Sequence, residues 1–330
     1  MNPCIVGIAR CAVIWACLGA GLALAEAPAA PASELVPHSA ELSKSAVRAP
    51  MLGAALAGRR IVAVGDHGIV LLSDDDGASY RQARAVPVNS TLTAVSFVDA
   101  KQGWAVGQWG VILHTADGGE TWKLQTYDVS VDQPLFSVYF ADALHGWAVG
   151  LWSKLLSTAD GGKTWNQLTV PPPPGGGRAD KNLFAIFPGP HGELFVAAEH
   201  GYVLHSVDGG ANWNYLETGY KGTFWTGITL ADGTVIVGGL RGTIYRSVDD
   251  GRSWQPSATG TRNSITGIAA VPRRIVACGL DGTVLESNDG GVTFKATQRD
   301  DRVALTAVVA TATDHLKLFS KQGPIPEALP

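Results

Sequence analysis

Short apolar runs, separated by glycine-containing turns, follow one another along most of the chain. Leu92–Phe97 and Gly103–Gly107 are two such runs, and a third follows at residues 111–114. The runs are brief and rich in β-branched and aromatic residues, which is typical of β-strands and does not fit longer helices with a period of about 3.6 residues. We therefore expect an all-β protein built from many short strands.

A polar motif follows each third run and reads Ser/Thr-x-Asp-x-Gly-x-Thr/Ser/Asn-aromatic. It recurs at intervals of 40–48 residues, and the longest interval includes an insertion at residues 171–177. Asp and Ser/Thr side chains accept hydrogen bonds from backbone N–H groups in tight turns, and glycine supplies a positive φ. The repeated aspartates are therefore predicted to be structural turn residues and not catalytic acids: Asp75, Asp117, Asp160, Asp208, Asp249 and Asp289.

Four short strands per period of about 40–45 residues predict a β-propeller with four-stranded antiparallel blades. A seventh unit at residues 305–323 lacks the polar motif, so we expect seven blades, with six blades plus a tail as the alternative. An open sheet edge would invite aggregation. Residues 33–48 are therefore expected to supply the missing outer strand. The predicted domains are a linker with a possible closing strand at 26–50 and the propeller at 51–330.

The first 25 residues have the pattern of a secretory signal peptide. An apolar run at residues 11–24 follows Arg10, and small residues precede the expected cleavage site after Ala25. The run of 14 residues is shorter than the roughly 20 residues that a membrane-spanning helix needs. We expect an exported, periplasmic, soluble protein with no membrane span after cleavage. Of the four cysteines only Cys278 would then remain, as a small buried residue.

The composition excludes several function classes. Apolar residues make up 46% of the chain, which argues against disorder, and a net charge of −4 argues against nucleic-acid binding. The eight histidines form no metal-binding spacing, and the glycines follow the repeat instead of a phosphate-binding loop. We expect no cofactor and no metal.

The polar motif resembles the Asp-box, or bacterial neuraminidase repeat, of sialidases and other propellers. The segments around the motif resemble a narrower group, the photosystem II stability/assembly factor family. These segments are Gly103–Gly107 (GWAVG), residues 145–150 (HGWAVG), 115–119 (TADGG) and 220–224 (YKGTF). The similarity runs from about residue 51 to 323. The members of that family are exported seven-bladed propellers that help assemble photosystem II in phototrophs, and they have relatives in non-photosynthetic bacteria. The resemblance implies the same fold and an export route for this chain. It also implies a basic patch that contacts client proteins.

In a four-stranded blade, the turn between strands two and three lies at the same end as the link to the next blade. Residues at these positions vary from blade to blade, as a recognition surface requires. They include Arg, Lys, Tyr and Trp, which are common at protein interfaces. We predict a monomeric scaffold that binds a protein client, such as a membrane-complex subunit, through Arg241, Lys221, Tyr220, Trp109, Trp152 and Glu199.

The alternative is a sialidase-like glycoside hydrolase. It would use Arg241 for a substrate carboxylate, Tyr220 as nucleophile and Glu199 or Asp281 as the acid. The sequence offers no set of three arginines at equivalent positions, and the uniform repeats leave little room for pocket-building loops. We therefore favour the non-catalytic scaffold.

Overall fold

The computed structural model describes residues 36–326, which form a seven-bladed β-propeller. Six blades have four antiparallel strands and the seventh has three. The first strands of the seven blades contact one another in cyclic order, and the first strand of blade 7 returns to that of blade 1. Seven blades therefore replace the alternative of six blades and a tail.

The strands follow in simple order, each paired with the next. Blades 1 and 2 contain β1 (Met51–Ala57), β2 (Arg60–Gly65), β3 (Val70–Ser73), β4 (Arg81–Gln82), β5 (Leu92–Phe97), β6 (Gly103–Gly107), β7 (Ile112–Thr115) and β8 (Lys123–Thr126). Blades 3 and 4 contain β9 (Leu135–Phe140), β10 (Gly146–Gly150), β11 (Leu155–Thr158), β12 (Asn166–Gln167), β13 (Leu183–Pro188), β14 (Leu194–Ala198), β15 (Tyr202–Ser206) and β16 (Asn214–Glu217).

The remaining blades repeat this arrangement. Blade 5 contains β17 (Phe224–Thr229), β18 (Val235–Gly239), β19 (Ile244–Ser247) and β20 (Gln255–Pro256). Blade 6 contains β21 (Ile265–Val271), β22 (Arg274–Gly279), β23 (Thr283–Ser287) and β24 (Lys295–Gln298). Blade 7 contains β25 (Leu305–Ala310), β26 (Leu316–Ser320) and β27 (Gly323–Pro324). Short 3-10 turns occur at Ala46–Arg48, Asp66–Gly68, Gln108–Gly110, Leu151–Ser153, Glu199–Gly201, Leu240–Gly242 and Leu280–Gly282.

The core lies between the blades. Every residue of the second strands Gly103–Gly107 and Gly146–Gly150 is buried, because neighbouring blades cover both faces of each sheet. Trp104 of blade 2 is 1% exposed and stacks on Phe140 of blade 3, with ring centroids 3.5 Å apart. Burying a large apolar side chain in this way stabilises the fold by about 1.5–3 kcal/mol. Outer strands such as Asn166–Gln167 are exposed.

Residues 33–48 were expected to close the ring by adding an outer strand to the last blade. The described part, residues 36–48, forms no strand, and blade 7 keeps three strands. The segment lies instead against the outer strand of blade 1 and the link that follows it: Ser43 N–H donates to Gln82 Oε1 at 2.9 Å, and Ala40 N–H donates to Val86 O at 2.9 Å. Its 3-10 turn at Ala46–Arg48 contacts β4 and β27 together. The segment thus covers the joint between the last and first blades with a turn.

Candidate functional site

The turn between the second and third strands has one conformation in blades 1 to 6. Each is a three-residue 3-10 turn whose first N–H bonds to a carbonyl just before the blade's first strand. Gln108 N–H donates to Thr91 O at 2.9 Å, and Leu240 N–H donates to Thr223 O at 3.0 Å. These turns and the blade-to-blade links therefore lie at one end of the blades, here named the turn face. The polar motifs lie at the other end, here named the box face.

The central residue of each turn has a left-handed backbone. Its φ lies between 53° and 61° at His67, Trp109, Trp152, His200, Arg241 and Asp281. This region is unfavourable for bulky residues, and strained backbones of this kind concentrate at functional sites. Trp152 is 56% exposed and Arg241 is exposed, whereas Trp109 is partly buried.

Tyr220 and Glu199 have structural partners. The Tyr220 hydroxyl donates to Leu240 O at 3.0 Å, and its ring packs on Phe224 and Tyr245. The Glu199 carboxylate accepts hydrogen bonds from Asn182, from its backbone N–H at 3.0 Å and its side-chain amide at 2.8 Å. Both side chains therefore hold the links in position, and they present less free surface than Arg241, Lys221 and Trp152.

Exposed cations without an ion-pair partner surround blades 3 to 5 on the turn face. Within residues 36–326, no acidic group lies within 4.0 Å of the cationic atoms of Arg178, Lys221, Arg241 or Arg262. Around blade 6 the cations are neutralised instead. Arg299 lies 2.8 Å from Asp301, and Arg302 lies 3.4 Å from Asp281.

A groove opens beside the most exposed aromatic residue of this face. Trp152, Arg178, Ala179 and Asp180 line it, with a volume of about 580 Å³. Asp180 is the one acid in the lining, and Lys181 donates to it at 3.0 Å, which lowers its pKa. A larger cavity of about 670 Å³ lies on the box face, between the first hairpins of blades 5 and 6.

The six polar motifs form closed hydrogen-bond units. In blade 2, Asp117 Oδ1 accepts from the Thr115 hydroxyl at 2.8 Å and from Thr121 N–H at 2.9 Å, while Oδ2 accepts from the Thr121 hydroxyl at 2.6 Å. The Thr115 hydroxyl is buried and accepts from Gly119 N–H at 3.0 Å. The other five motifs repeat these contacts. The aspartates are spread around the ring in separate turns.

These hydrogen bonds keep the aspartates ionised. Donors from the residue four positions later, with help from the Ser or Thr two positions earlier, lower the pKa of five of them to about 2: Asp75, Asp160, Asp208, Asp249 and Asp289. Burial opposes ionisation at Asp117, yet hydrogen bonds from Thr121 and Thr115 outweigh it and lower its pKa as well. A carboxylate stabilised in this way is a poor proton donor near neutral pH.

Each motif also fixes the packing of its blade on the preceding one. The motif glycines have φ between 80° and 88°, and their Cα atoms face side chains of the neighbouring blade. At Gly210 (φ +83°) an added methyl group would collide with the indole ring of Trp147 in blade 3. Glycine is therefore required here both for the turn and for the close approach of two blades.

The residues of the alternative glycosidase site are not joined into one cluster. Among the described residues, no hydrogen bond or ion pair connects Glu199, Asp281, Tyr220 and Arg241. Asp281 binds Gln298 and Arg302, whereas Glu199 binds Asn182. Residues 36–326 also contain no group of three His, Cys, Asp or Glu side chains arranged to hold a metal.

The structure also bears on the expectations for Cys278 and for a membrane-spanning helix. Cys278 is fully buried, as predicted, and burial raises the pKa of its thiol to about 12. No helix in the described range 36–326 has the length and apolar character to cross a membrane. The expected signal peptide at residues 1–25 lies outside the described residues.

Phe136 and Phe184 were not singled out by the sequence analysis. They are the second residues of the first strands of blades 3 and 4, at the turn-face end. Their rings stack with centroids 5.4 Å apart and planes 7° from parallel, and neither ring is fully buried. Aligning the second residue of each first strand would have revealed an unusual run of aromatic residues in blades 3, 4 and 5. The backbone irregularity that exposes them has no sequence signal of its own.

A match to a protein family shows the family of this chain, and similar solved structures show its fold. The family described as photosynthesis system II assembly factor YCF48 matches residues 80–132 and 123–273. The solved structure "YCF48 bound to D1 peptide" is similar with a TM-score of 0.69 and 18% identity, covering 87% of this chain and 94% of that chain. YCF48 from Cyanidioschyzon merolae is similar with a TM-score of 0.67 and 16% identity, covering 87% and 96%.

At these identities the two solved structures establish a shared fold. A search of curated proteins gave no significant match. The family match spans more than half of the 330 residues and includes five of the six Asp-box motifs in whole or part. The chain therefore belongs to the photosynthesis system II assembly factor YCF48 family.

Proposed function

We propose that this protein is a non-catalytic assembly scaffold that binds an acidic segment of a client protein on its turn face, at blades 3 to 5. The observation that carries this proposal is a set of exposed cations that form no ion pair within 4.0 Å among residues 36–326: Arg178, Lys221, Arg241 and Arg262. Unpaired surface cations attract a negatively charged partner and steer its approach. Their counterparts at blade 6 are neutralised by Asp301 and Asp281 and would contribute less.

The position of Trp152 also supports the assignment of the binding surface to this part of the turn face. This side chain is exposed beside a groove that Arg178 also lines, so an extended peptide would meet an aromatic face and a guanidinium together. Tryptophan and arginine are the residue types most enriched among side chains that dominate binding energy. Trp152 and Arg241 also keep a left-handed backbone, which glycine would adopt at lower cost.

The similar solved structure supports a peptide as the ligand. Its description states that YCF48 is bound to a D1 peptide. By analogy, we propose that the client of this chain is a subunit of a membrane complex, recognised through an exposed segment. In a phototrophic host this client would be a photosystem II subunit. We also propose that residues 1–25 export the chain to the periplasm.

Peptide binding with charge-reversed variants tests the surface. Labelled peptides of equal length and either acidic, neutral or basic composition, together with a D1 peptide, would be titrated with the protein while fluorescence anisotropy is measured. We expect the acidic peptides to bind, and Arg241→Glu with Lys221→Glu to weaken binding about tenfold or more. The matched control reverses Arg252 and Lys295, exposed cations away from this surface. Equal losses in both double variants would contradict the proposal.

The non-catalytic role is tested by assay with fluorogenic sialosides and other glycosides. We expect no turnover above background. Saturable hydrolysis that Glu199→Gln or Asp281→Asn abolishes would contradict the scaffold proposal, because those carboxylates are the candidate acids of the alternative.

A further inference from the structure

The first strands of all seven blades share a β-bulge at their second residue. The register with the second strand shifts there in each blade: between Leu92 and Ala94 in blade 2, for example, and between Leu183 and Ala185 in blade 4. A bulge leaves one residue out of the ladder and redirects its side chain. The seven redirected residues form a ring at the turn-face end of the inner strands: Leu52, Thr93, Phe136, Phe184, Trp225, Thr266 and Thr306.

In three blades the bulge residue is a threonine with a structural role. Its hydroxyl donates to the first-strand carbonyl of the next blade: Thr93 to Leu135 O at 2.7 Å, and Thr266 to Leu305 O at 2.9 Å. Thr306 closes the ring in the same way, with its hydroxyl 2.5 Å from Met51 O. At these positions the side chain serves to join neighbouring blades.

In three consecutive blades the bulge residue is aromatic and cannot make this bond. Phe136, Phe184 and Trp225, here named the aromatic arc, belong to blades 3, 4 and 5 and remain partly exposed. Phe136 and Phe184 stack across the joint between their blades. At each of these three positions a large aromatic side chain therefore takes the place of a threonine that could hydrogen-bond to the next blade. All three side chains remain partly exposed to water. A role in ring packing alone would favour threonine, as in blades 2, 6 and 7.

The aromatic arc lies in the same three blades as the unpaired cations. Lys221 lies in the link that leads to Trp225, Arg178 lies in the link that leads to Phe184, and Arg241 lies in the blade 5 turn. Blades 6 and 7 place Thr266 and Thr306 at the bulge, and Arg299 and Arg302 beside them are paired with acids. Apolar surface and positive charge thus coincide on one side of the ring.

We propose that the aromatic arc binds an aromatic or large aliphatic side chain of the acidic segment, while the segment's carboxylates contact the surrounding cations. This inference rests on the proposed function. It adds that one apolar side chain of the client segment, bound by the aromatic arc, makes the binding sequence-specific. Aromatic side chains offer large, rigid contact areas and favour stacked or edge-to-face neighbours, so they suit an inserted apolar anchor. The ligand class is an acidic peptide with at least one tryptophan, phenylalanine or leucine.

The test uses the full chain and two acidic peptides that differ at one position, tryptophan in one and serine in the other. Phe184→Thr with Trp225→Thr installs the residue that blades 2, 6 and 7 use at the same bulge, so the variant should keep the fold. We expect at least a tenfold loss of affinity for the tryptophan peptide and less than a twofold change for the serine peptide. Leu52→Thr is the matched control, and thermal unfolding verifies each fold.

The possible outcomes separate the two proposals. Arg241→Glu should weaken both peptides, and a failure to do so would overturn the charged docking surface. If charge reversal weakens both peptides but the threonine variant weakens neither or both equally, the anchor site is overturned and the docking surface stands. If neither peptide binds the wild-type chain, both are overturned. Sedimentation would also overturn the anchor site if the wild-type chain dimerised and the threonine variant did not.

Discussion

The Asp76 carboxylate of blade 1 accepts a hydrogen bond from Nδ1 of His315 in blade 7, over 2.9 Å. The Thr313 hydroxyl donates to the same oxygen at 2.7 Å. Burial opposes ionisation of Asp76, but hydrogen bonds from Thr313 and His315 outweigh it and lower its pKa to about 2. These contacts tie the last blade to the first on the box face, opposite the Thr306 contact with Met51 O on the inner ring.

We expect Asp76→Asn to weaken this closure. The change removes the charge but keeps a residue type that tolerates the left-handed backbone at φ 59°. Because the contact is partly exposed, the free energy of unfolding should fall by only about 1 kcal/mol. Urea unfolding of Asp76→Asn, His315→Ala and the double variant measures the coupling. Additive losses would show that the two side chains do not interact, and Asp300→Ala serves as an exposed control.

In the Asp-box of blade 2, the buried hydroxyl should matter more than the exposed carboxylate. Thr115→Val keeps the shape but leaves Gly119 N–H buried without its acceptor, and we expect a loss of about 1–3 kcal/mol in the free energy of unfolding. Asp117→Ala should cost about 1 kcal/mol, because water can replace part of what is lost. Urea unfolding at neutral pH measures both. A larger loss for Asp117→Ala would contradict this ranking.

Acid should destabilise the propeller through the box aspartates. The folded pKa values of about 2 at Asp75, Asp208 and Asp249 lie below the ordinary 3.8, so the unfolded chain binds more protons between these values. The stabilisation is therefore complete above about pH 5 and is lost as the pH falls from about 4 towards 2. Thermal unfolding across this range should show a constant midpoint that then drops steeply. A flat profile down to pH 3 would contradict the assignment.

Arg241→Gly should separate binding from stability. Glycine accepts a φ of 58° without steric cost, and the exposed guanidinium makes no ion pair within residues 36–326. We expect the unfolding temperature to stay the same or to rise slightly, since the relieved strain offsets the greater entropy of the unfolded chain. Affinity for an acidic peptide should fall about threefold to tenfold. A clear loss of stability would instead give Arg241 a structural role.

Cys278 should be inert in the folded protein. Its thiol is fully buried and its pKa is raised to about 12, so almost no thiolate exists near neutral pH. Treatment of the full chain with iodoacetamide, followed by mass spectrometry of the Cys278 peptide, should show no modification before unfolding and complete modification in urea. Rapid labelling of the native protein would contradict the buried assignment. Peptide-level mapping distinguishes Cys278 from the three N-terminal cysteines.

Local chemistry made most of the fold predictable. Asp117, Thr115 and Gly119 form a turn within a few residues, so their spacing in the sequence already specifies their hydrogen bonds. Second strands such as Gly103–Gly107 are buried on both faces, and their unbroken apolar character is visible in the sequence. Six repeats in phase, with a seventh lacking the box, were therefore sufficient to predict seven blades and the buried Cys278.

Contacts between distant segments could not be predicted in the same way. Glu199 looked like a free recognition residue until the fold placed Asn182 against it, and Tyr220 likewise packs on Tyr245. The closing segment forms a 3-10 turn and not a strand, because its partners are two different blades brought together by ring closure.

The sequence by itself determined the repeat, its Asp-box turns and the face on which variable residues emerge, because each depends on interactions within a few residues of the chain. Only the tertiary structure decided which cations stay unpaired and that Phe136, Phe184 and Trp225 form one partly exposed arc. Ion pairs and ring contacts depend on distances between blades, and those distances are set when all seven first strands close into one ring.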